Sequence, residues 1–252
     1  MLEFVETAAA REASGVRMVV SAVVPSPWSE AAKGVFRLAK LPVLAVRAMP
    51  RDQALVEWTG VDNVPVVLHG KEPARTSWSQ IVGLAARLAP GTVLPADPMV
   101  RAEAMGLIEL IAGEDGLGWN GRLAMIEASL ASDGARGFAP PVAAYLAKRY
   151  GYSAAIAQGL RARVMAQLAT LAARLGARAY FGGEHPNAVD AYLATFLTPL
   201  VALTEADCPR LAPPLRTAFA AAAEAFGALV APELLAVRTR MFAHHLPFPI
   251  EI

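Results

Sequence analysis

Residues 26–42, SPWSEAAKGVFRLAKLP, contain the signals for a helix start, a helix body and a helix stop. Ser26 stands directly before Pro27, and because proline is favoured at the first position of a helix, Ser26 is a candidate N-cap. Apolar side chains then recur at helical spacing until Pro42 ends the segment. The N-terminus of such a helix presents unpaired N–H groups and the positive end of the dipole, which can stabilise a bound anion, including a thiolate. From these residues alone a plain helix cap is the favoured interpretation of Ser26, and an anion site is the alternative.

Strand-like segments lie on both sides of this helix. Residues 16–24 are β-branched and apolar and predict a buried strand, and residues 43–47 and 64–69 predict two more. Helical patterns at residues 52–58 and 78–88 follow the second and third of these strands. The alternation predicts a small α/β layer with at least one parallel crossover.

The chain changes character after this layer. Residues 89–98, APGTVLPADP, contain three prolines and a glycine and therefore predict a linker. Beyond it the strand signals almost vanish, and segments rich in alanine and leucine predict an all-helical domain. The predicted helices cover residues 99–112, 122–132, 141–149, about 153–175, 188–202, 214–229 and 231–243. The predicted organisation is a short helical extension at residues 1–14, an α/β domain at 15–88, the linker at 89–98, and an all-helical domain at 99–252.

The charge balance and the cysteine content exclude several classes of protein. The chain has 252 residues, of which 23 are basic and 22 are acidic, so nothing favours a nucleic acid or an anionic membrane surface as a partner. The only cysteine, Cys208, cannot form an internal disulfide framework. We therefore expect a reducing compartment.

Although 55% of the residues are hydrophobic, the sequence predicts no membrane span. The longest stretch without Asp, Glu, Lys or Arg is 191–204, which is shorter than the roughly 20 apolar residues that a span needs. Charged residues also occupy the N-terminal positions where a signal peptide has its apolar segment. The expectation is a soluble, cytoplasmic protein.

The common catalytic and metal-binding motifs are nearly all missing. The sequence contains no Walker A motif, HExxH, CxxC or GxSxG. A literal GxGxxG at residues 116–121 follows a helical segment rather than a strand, so an interhelical loop is the favoured interpretation. None of the four histidines has a partner at metal-ligand spacing, and no metal site is predicted.

Two further positions in the α/β layer offer groups for ligand binding. Val64-Pro65 begins the third predicted strand, and a cis bond there turns the backbone of Val64 outward to pair with an extended ligand. A trans proline on an edge strand is the alternative. Thr76 and Ser77 precede the helix at 78–88, where a hydroxyl can cap the helix or the helix end can bind a carboxylate. Together with Ser26, these positions predict a site for a small, extended, anionic peptide-like ligand.

In its order of elements the chain resembles the glutathione transferase superfamily, which joins a thioredoxin-like domain to an all-helical domain. The resemblance covers about residues 16–243. Residues 26–42 resemble the serine-type first helix of that family, S-P-x-S-x-x-x-[KR] followed by a closing L-P. Val64-Pro65 resembles the cis Val-Pro step of that fold.

The resemblance extends to two more motifs. Thr76-Ser77 falls where the family carries an acidic residue followed by serine. Asn187 and Asp190 resemble the capping box at the start of a buried core helix, in which Asn187 caps the helix and Asp190 returns the bond. A homodimer is also implied by the resemblance.

The resemblance implies a glutathione site, with glutathione as co-substrate. In that site Ser26 is the catalytic residue, which donates a hydrogen bond to the glutathione sulfur. Val64, followed by Pro65, pairs its backbone with the cysteinyl portion. Ser77, beside Thr76, holds the γ-glutamyl carboxylate. The expected function is a glutathione-dependent transferase that activates the thiol for attack on a small hydrophobic electrophile.

The resemblance also implies where the electrophile lies, namely near residues 99–112 and the loop of Trp119.

The chain departs from the family at two positions. Thr76 replaces the usual acidic partner of the γ-glutamyl ammonium, and Asp62 lies where several subfamilies have a His, Gln or Lys near the glycyl carboxylate. A binding or regulatory protein of the same fold, with weak or no glutathione affinity and no transferase activity, is therefore the alternative. An unrelated helical protein with an accessory α/β module is the third hypothesis.

Overall fold

The computed structural model describes residues 2–50 and 52–252. Its strands are β1 (Leu2–Phe4), β2 (Val16–Ser21), β3 (Val43–Ala48) and β4 (Val66–His69). Helices α1 (Thr7–Glu12), α2 (Pro27–Leu38), α3 (Gln53–Thr59) and α4 (Trp78–Leu88) alternate with them. The second half contains α5 (Pro98–Ala112), α6 (Leu117–Ala131), α7 (Pro140–Arg149), α8 (Ala154–Ala157), α9 (Leu160–Leu175), α10 (Ala188–Phe196), α11 (Pro213–Phe226) and α12 (Pro232–His244). Residues 89–97 between the halves form neither helix nor strand.

The strands form one sheet in the order β1-β3-β2-β4. Strands β1, β3 and β2 are parallel, and β4 is antiparallel to β2. Parallel neighbours need a crossover connection, and α2 supplies it between β2 and β3. The predicted thioredoxin-like α/β domain and all-helical domain are thus confirmed.

Alternation along β2 explains why helices cover both faces of the sheet. Val16, Met18 and Val20 belong to the large core that includes α2 and α4, whereas Val19 belongs to a smaller core with Leu55 of α3. This is the two-residue period expected of a strand that is buried on both sides.

The N-terminal extension differs from the predicted short helix. Residues 2–4 form strand β1, in which Leu2 pairs with Val43, and only then does α1 follow. The ring of Phe4 lies under the guanidinium of Arg47, 3.5 Å from ring centre to Cζ. Local pattern could not reveal a three-residue strand whose stability comes from β3. Residue 1 of the predicted extension lies outside the described residues.

Two predicted helices are shorter than expected, each for a backbone reason. The segment predicted at about 153–175 is divided into α8 and α9 because Gly159 adopts φ +82°, which interrupts a right-handed helix. The segment predicted at 188–202 leaves the α-helix at Phe196 and continues as a 3-10 turn, Thr198–Leu200. Pro199 within that turn lacks the N–H that a further α-helical bond requires.

Helix α10 is the centre of the molecule. All of its residues are buried, and it packs on α2, α5 and α12. Helix α2 approaches it closely at Gly34, where an added Cβ would lie 2.7 Å from Leu246 and 3.4 Å from Ala191 of α10. The two domains therefore share one continuous core.

The predicted capping box at the start of α10 is confirmed. The Asn187 side chain accepts from the N–H of Val189 at 2.8 Å, and Asp190 Oδ2 accepts from the N–H of Asn187 at 2.8 Å. Asp190 Oδ1 also accepts from the N–H of Phe181 at 2.8 Å. The Asp190 side chain has no exposed surface, and burial raises the pKa of this carboxyl to about 6 even though backbone N–H groups donate to it.

No helix in the described part of the chain combines the length and the apolar character that a membrane crossing requires.

Replacing Asp190 with alanine is expected to lower the free energy of unfolding by at least about 2 kcal/mol, because two buried N–H groups lose their acceptor. The matched control is Asp52→Ala, since Asp52 caps α3 at a partly exposed position and accepts from the N–H of Leu55 at 3.2 Å. That change is expected to cost only about 1 kcal/mol. Urea denaturation of both variants measures the difference, and equal losses would contradict the special role of the buried box.

The unfolding free energy is also expected to depend on pH through Asp190. Its folded pKa of about 6 exceeds the ordinary value of 3.8, so the folded state binds a proton that the unfolded state does not. The resulting stabilisation is complete below the ordinary value and is lost as the pH rises through about 6. Relative to Asp190→Asn, the wild-type protein should therefore gain about 2 kcal/mol between about pH 7.5 and about pH 4.5. A difference that does not change with pH would show that the pKa is not raised.

Candidate functional site

Ser26 lies in the loop that joins β2 to α2, directly before the first helical residue. Its backbone is extended, with φ −61° and ψ 120°, and its C=O accepts from the N–H of Glu30 at 2.9 Å. The half-buried hydroxyl makes no hydrogen bond to any residue in 2–50 or 52–252. The helix-cap interpretation of this side chain is therefore wrong. The hydroxyl stands at the positive end of α2 with its donor unused by the described protein groups.

Ser29, one turn further along α2, has the opposite environment. It is fully buried, and its Oγ accepts from the N–H of Ser21 at 3.4 Å. This bond ties α2 to the end of β2. Ser29 is a structural side chain.

Trp28 fixes the first turn of α2 against the helical domain. Its Nε1 donates to the C=O of Ala112 at 3.0 Å, and its ring meets the Phe196 ring at 4.8 Å between centroids. An added Cβ at Gly118 would lie 2.3 Å from Phe196 and 3.3 Å from Trp28, so this glycine permits a close approach. The Ser26 loop is thus held beside the start of α6.

The GxGxxG residues belong mainly to a helix rather than to the predicted loop. Helix α6 begins at Leu117, five residues before its predicted start at 122, and includes Gly118 and Gly121. Close packing against the aromatic side chains at Gly118 explains the short side chain there, and no strand precedes the motif.

The Val64-Pro65 bond is cis, as predicted. Val64 is half-buried, Pro65 is buried, and β4 begins only at Val66. Within the part of the chain that the structure describes, neither the N–H nor the C=O of Val64 has a backbone partner. Val64 therefore presents a main-chain donor and a main-chain acceptor.

Ser77 caps α4. Its Oγ accepts from the N–H of Gln80 at 3.3 Å, and Gln80 Oε1 accepts in return from the N–H of Ser77 at 3.3 Å and of Thr76 at 3.2 Å. The Thr76 hydroxyl makes no hydrogen bond to the described residues. The role of Gln80 was not predicted, although Ser-x-x-Gln at the start of a helix is a capping-box signal. A carboxylate that uses the N–H groups of Thr76 and Ser77 must displace the exposed Gln80 amide.

The sheet brings these positions to one edge. Val19 near the end of β2 pairs with Val66 at the start of β4, so Ser26 and Val64 leave the sheet on the same side. The antiparallel bridge between Val67 and Arg75 sets Ser77 across from Pro65, two residues further along each segment. All the candidate residues therefore lie around the carboxyl end of β2.

The helical domain forms the opposite wall of this edge. Arg149, the last residue of α7, donates from Nη2 to Asn63 Oδ1 at 2.6 Å, next to Val64. The rings of Trp119 and Tyr150 pack at 4.7 Å between centroids. Trp119 follows Gly118, where an added Cβ would lie 3.3 Å from Trp28. The two aromatic rings form an apolar surface on the helical domain.

The charges nearest to Ser26 on its own helix compensate each other. Glu30 forms an ion pair with Lys33 at 2.7 Å, and burial raises the pKa of the Glu30 carboxyl. The Lys33 Nζ also donates to the C=O of Glu251 at 2.8 Å. An anion at the N-terminus of α2 thus faces a paired carboxylate rather than an isolated one.

Among residues 2–50 and 52–252, no three His, Cys, Asp or Glu side chains are grouped so that they could hold a metal ion. His244 and His245 are neighbours, with ring centroids 6.1 Å apart.

Comparisons with known proteins agree with this fold. Residues 154–228 match the family model described as glutathione S-transferase, C-terminal domain. A glutathione S-transferase from Methylobacterium radiotolerans, solved with glutathione sulfonate, superposes with a TM-score of 0.58 at 19% identity, covering 95% of this chain and 98% of that one. A glutathione transferase family member from Pseudomonas fluorescens, solved with two glutathione bound, gives 0.56 at 15% identity, with 93% and 94% covered. Curated proteins give no sequence match.

The solved structures extend over nearly the whole chain, and the family model matches residues 154–228 within the helical half. On this basis the chain has the glutathione transferase fold, and part of its helical domain is similar in sequence to the C-terminal domain of that family.

Proposed function

We propose that this protein is a glutathione-dependent transferase, in which the Ser26 hydroxyl donates a hydrogen bond to the glutathione sulfur. The observation that carries the proposal is the unused hydroxyl of Ser26 at the N-terminus of α2, at the same sheet edge as Val64 and Ser77. With no partner among the described residues, the hydroxyl has its O–H donor free for the sulfur.

The remaining contacts position the tripeptide. The backbone N–H and C=O of Val64 pair with the cysteinyl residue in the manner of an added strand, with Pro65 fixing the start of β4. Ser77 and the N–H groups at the start of α4 hold the γ-glutamyl carboxylate, with Thr76 beside them. Gln80 gives up its two N–H partners when this carboxylate binds.

Activation of the thiol is the chemical contribution of the protein. A free thiol has a pKa near 8.5, so about 3% is ionised at neutral pH. Lowering the pKa by about two units through the Ser26 hydroxyl and the α2 dipole raises the thiolate fraction more than tenfold. The thiolate sulfur then forms a bond to the electrophilic carbon, the leaving group departs with its electron pair, and the thiol proton passes to solvent.

The electrophile lies against the apolar wall formed by Trp119 and Tyr150.

We further propose that the protein is a homodimer in a reducing, cytoplasmic compartment. The exposed Met99 and Val100 at the start of α5, with 78% and 50% of their surfaces accessible, support an association surface on the helical domain.

A binding protein with weak glutathione affinity is the second candidate, and a specific contact favours it. Gln80 already satisfies the N–H groups of Thr76 and Ser77, and Thr76 offers no charge to the γ-glutamyl ammonium. Asp62 adds an exposed negative charge one residue before Asn63.

Calorimetric titration of the wild-type protein with glutathione distinguishes the two candidates. The transferase proposal predicts a dissociation constant of about 1 mM or tighter, which is the range in which enzymes bind their substrates. Ser77→Ala should weaken this binding, since it removes the γ-glutamyl contact. Absence of binding up to about 10 mM would reject the transferase and leave the binding protein with another ligand.

Replacing Ser26 with alanine is expected to lower kcat several-fold at neutral pH and to raise the pKa that governs kcat by part of those two units, because the dipole of α2 remains. The affinity for glutathione should change little, because Val64 and Ser77 supply most of the binding. The measurement is kcat against pH with a model aryl halide.

Ser29→Ala is the matched control for this experiment. It removes a buried hydrogen bond and should lower the unfolding free energy by about 1 kcal/mol while leaving the pKa that governs kcat unchanged. Ser26→Ala, in contrast, should keep the unfolding free energy within about 0.5 kcal/mol. A Ser26→Ala protein with the wild-type rate and pH profile would reject the assigned role of Ser26.

A further inference from the structure

We propose that Arg149 of the helical domain binds the glycyl carboxylate of glutathione across the cleft between the two domains. The inference rests on the function proposed above. It assigns the recognition of one end of the ligand to a residue that no motif of the α/β domain indicates.

The position of Arg149 is the first argument. Its Nη2 donates to Asn63 Oδ1 at 2.6 Å, although the two residues are 86 positions apart in the sequence. Asn63 directly precedes Val64, whose backbone is placed to pair with the cysteinyl residue. The guanidinium therefore lies beside the loop that carries the centre of the site.

The direction of the ligand is the second argument. Ser77 stands across from Pro65 and takes the γ-glutamyl end. A tripeptide that starts at Ser77 and pairs with Val64 must extend its glycyl end along the loop toward Asn63. Since one extended residue spans about 3.4 Å, the glycyl carboxylate comes within reach of a guanidinium held at the Asn63 side chain.

The charge of Arg149 is the third argument. Its two side-chain hydrogen bonds go to uncharged oxygens, the Asn63 amide and the Tyr145 hydroxyl, the latter at 3.0 Å. Within residues 2–50 and 52–252, no carboxylate lies within ion-pair distance of it. Arg75 and Arg87, by comparison, both pair with Glu72.

The geometry of the side chain suits a carboxylate. A guanidinium has five donors in a planar fork, of which the two contacts to Asn63 and Tyr145 use only a part. These contacts fix the plane of the fork from two sides and leave donors for a carboxylate. The nearby Asp62 repels a carboxylate, so a cation from the other domain compensates for it.

The experiment compares two ligands that differ at the glycyl carboxylate, which is charged in one and an uncharged ethyl ester in the other. Glutathione and its glycyl monoethyl ester are titrated calorimetrically into the wild-type protein, Arg149→Gln and the control Lys148→Gln. Lys148 is the adjacent exposed cation, without a contact to Asn63. Circular dichroism melting confirms that each variant is folded.

Arg149→Gln is expected to weaken glutathione about three- to tenfold and to change binding of the ester by less than about twofold. Lys148→Gln should change neither by more than about twofold. If Arg149→Gln weakens both ligands equally, or neither, the carboxylate contact is rejected while the proposed function stands. If the wild-type protein binds neither ligand, both proposals are rejected.

Discussion

Helix α2 packs closely on α10 at Gly34. A Cβ at this position would lie 2.7 Å from the end of the Leu246 side chain, which would have to shift, and 3.4 Å from Ala191 of α10. Helix α10 is itself fixed by the buried carboxylate of Asp190, which holds the N–H groups of Asn187 and Phe181. The α/β domain is therefore built onto a helix whose start is set by one buried acid. The packing of α2 on α10 at Gly34 also positions the N-terminus of α2.

The consequence for the site is that Ser26 needs no role in its own helix. Trp28 anchors the first turn through Ala112 and Phe196, and Ser29 ties it to the end of β2. Because these neighbours hold the turn, the hydroxyl of Ser26 is left without a partner among the described groups. A helix end whose cap position is unused has donors available for an anion, at some cost in local stability. The packing of Trp28 is thus a condition for the chemistry proposed at Ser26.

The sequence was sufficient for those features that depend on neighbouring residues. The helix after Ser26, the cis bond at Pro65 and the box at Asn187 were predicted because their signals are local or carried by a family motif. Strand β1 was not predicted because three residues are too few to show the alternation of apolar and polar side chains that indicates a strand. Its pairing depends on β3, which is distant in sequence. The bond of Arg149 to Asn63 could not be predicted either, since it joins residues 86 positions apart and depends on how the domains pack. The Ser-x-x-Gln pattern at Ser77–Gln80 does predict a capped helix start. It does not reveal that the Gln80 amide occupies the N–H groups that a bound carboxylate would use.

The charges around the site illustrate why a motif from one segment is an incomplete guide to affinity. In the sequence, Asp62 and Thr76 argue against glutathione because each lies where a favourable partner is expected. In the fold, a cation from α7 lies next to Asn63, and Lys33 neutralises the acid that follows Ser26. Electrostatic energy depends on distance and burial rather than on sequence separation, so an acidic residue in one element can be offset by a base from another. On the function proposed above, the affinity for an anionic peptide depends on the cleft between the domains, to which the helical domain supplies both Arg149 and the apolar wall.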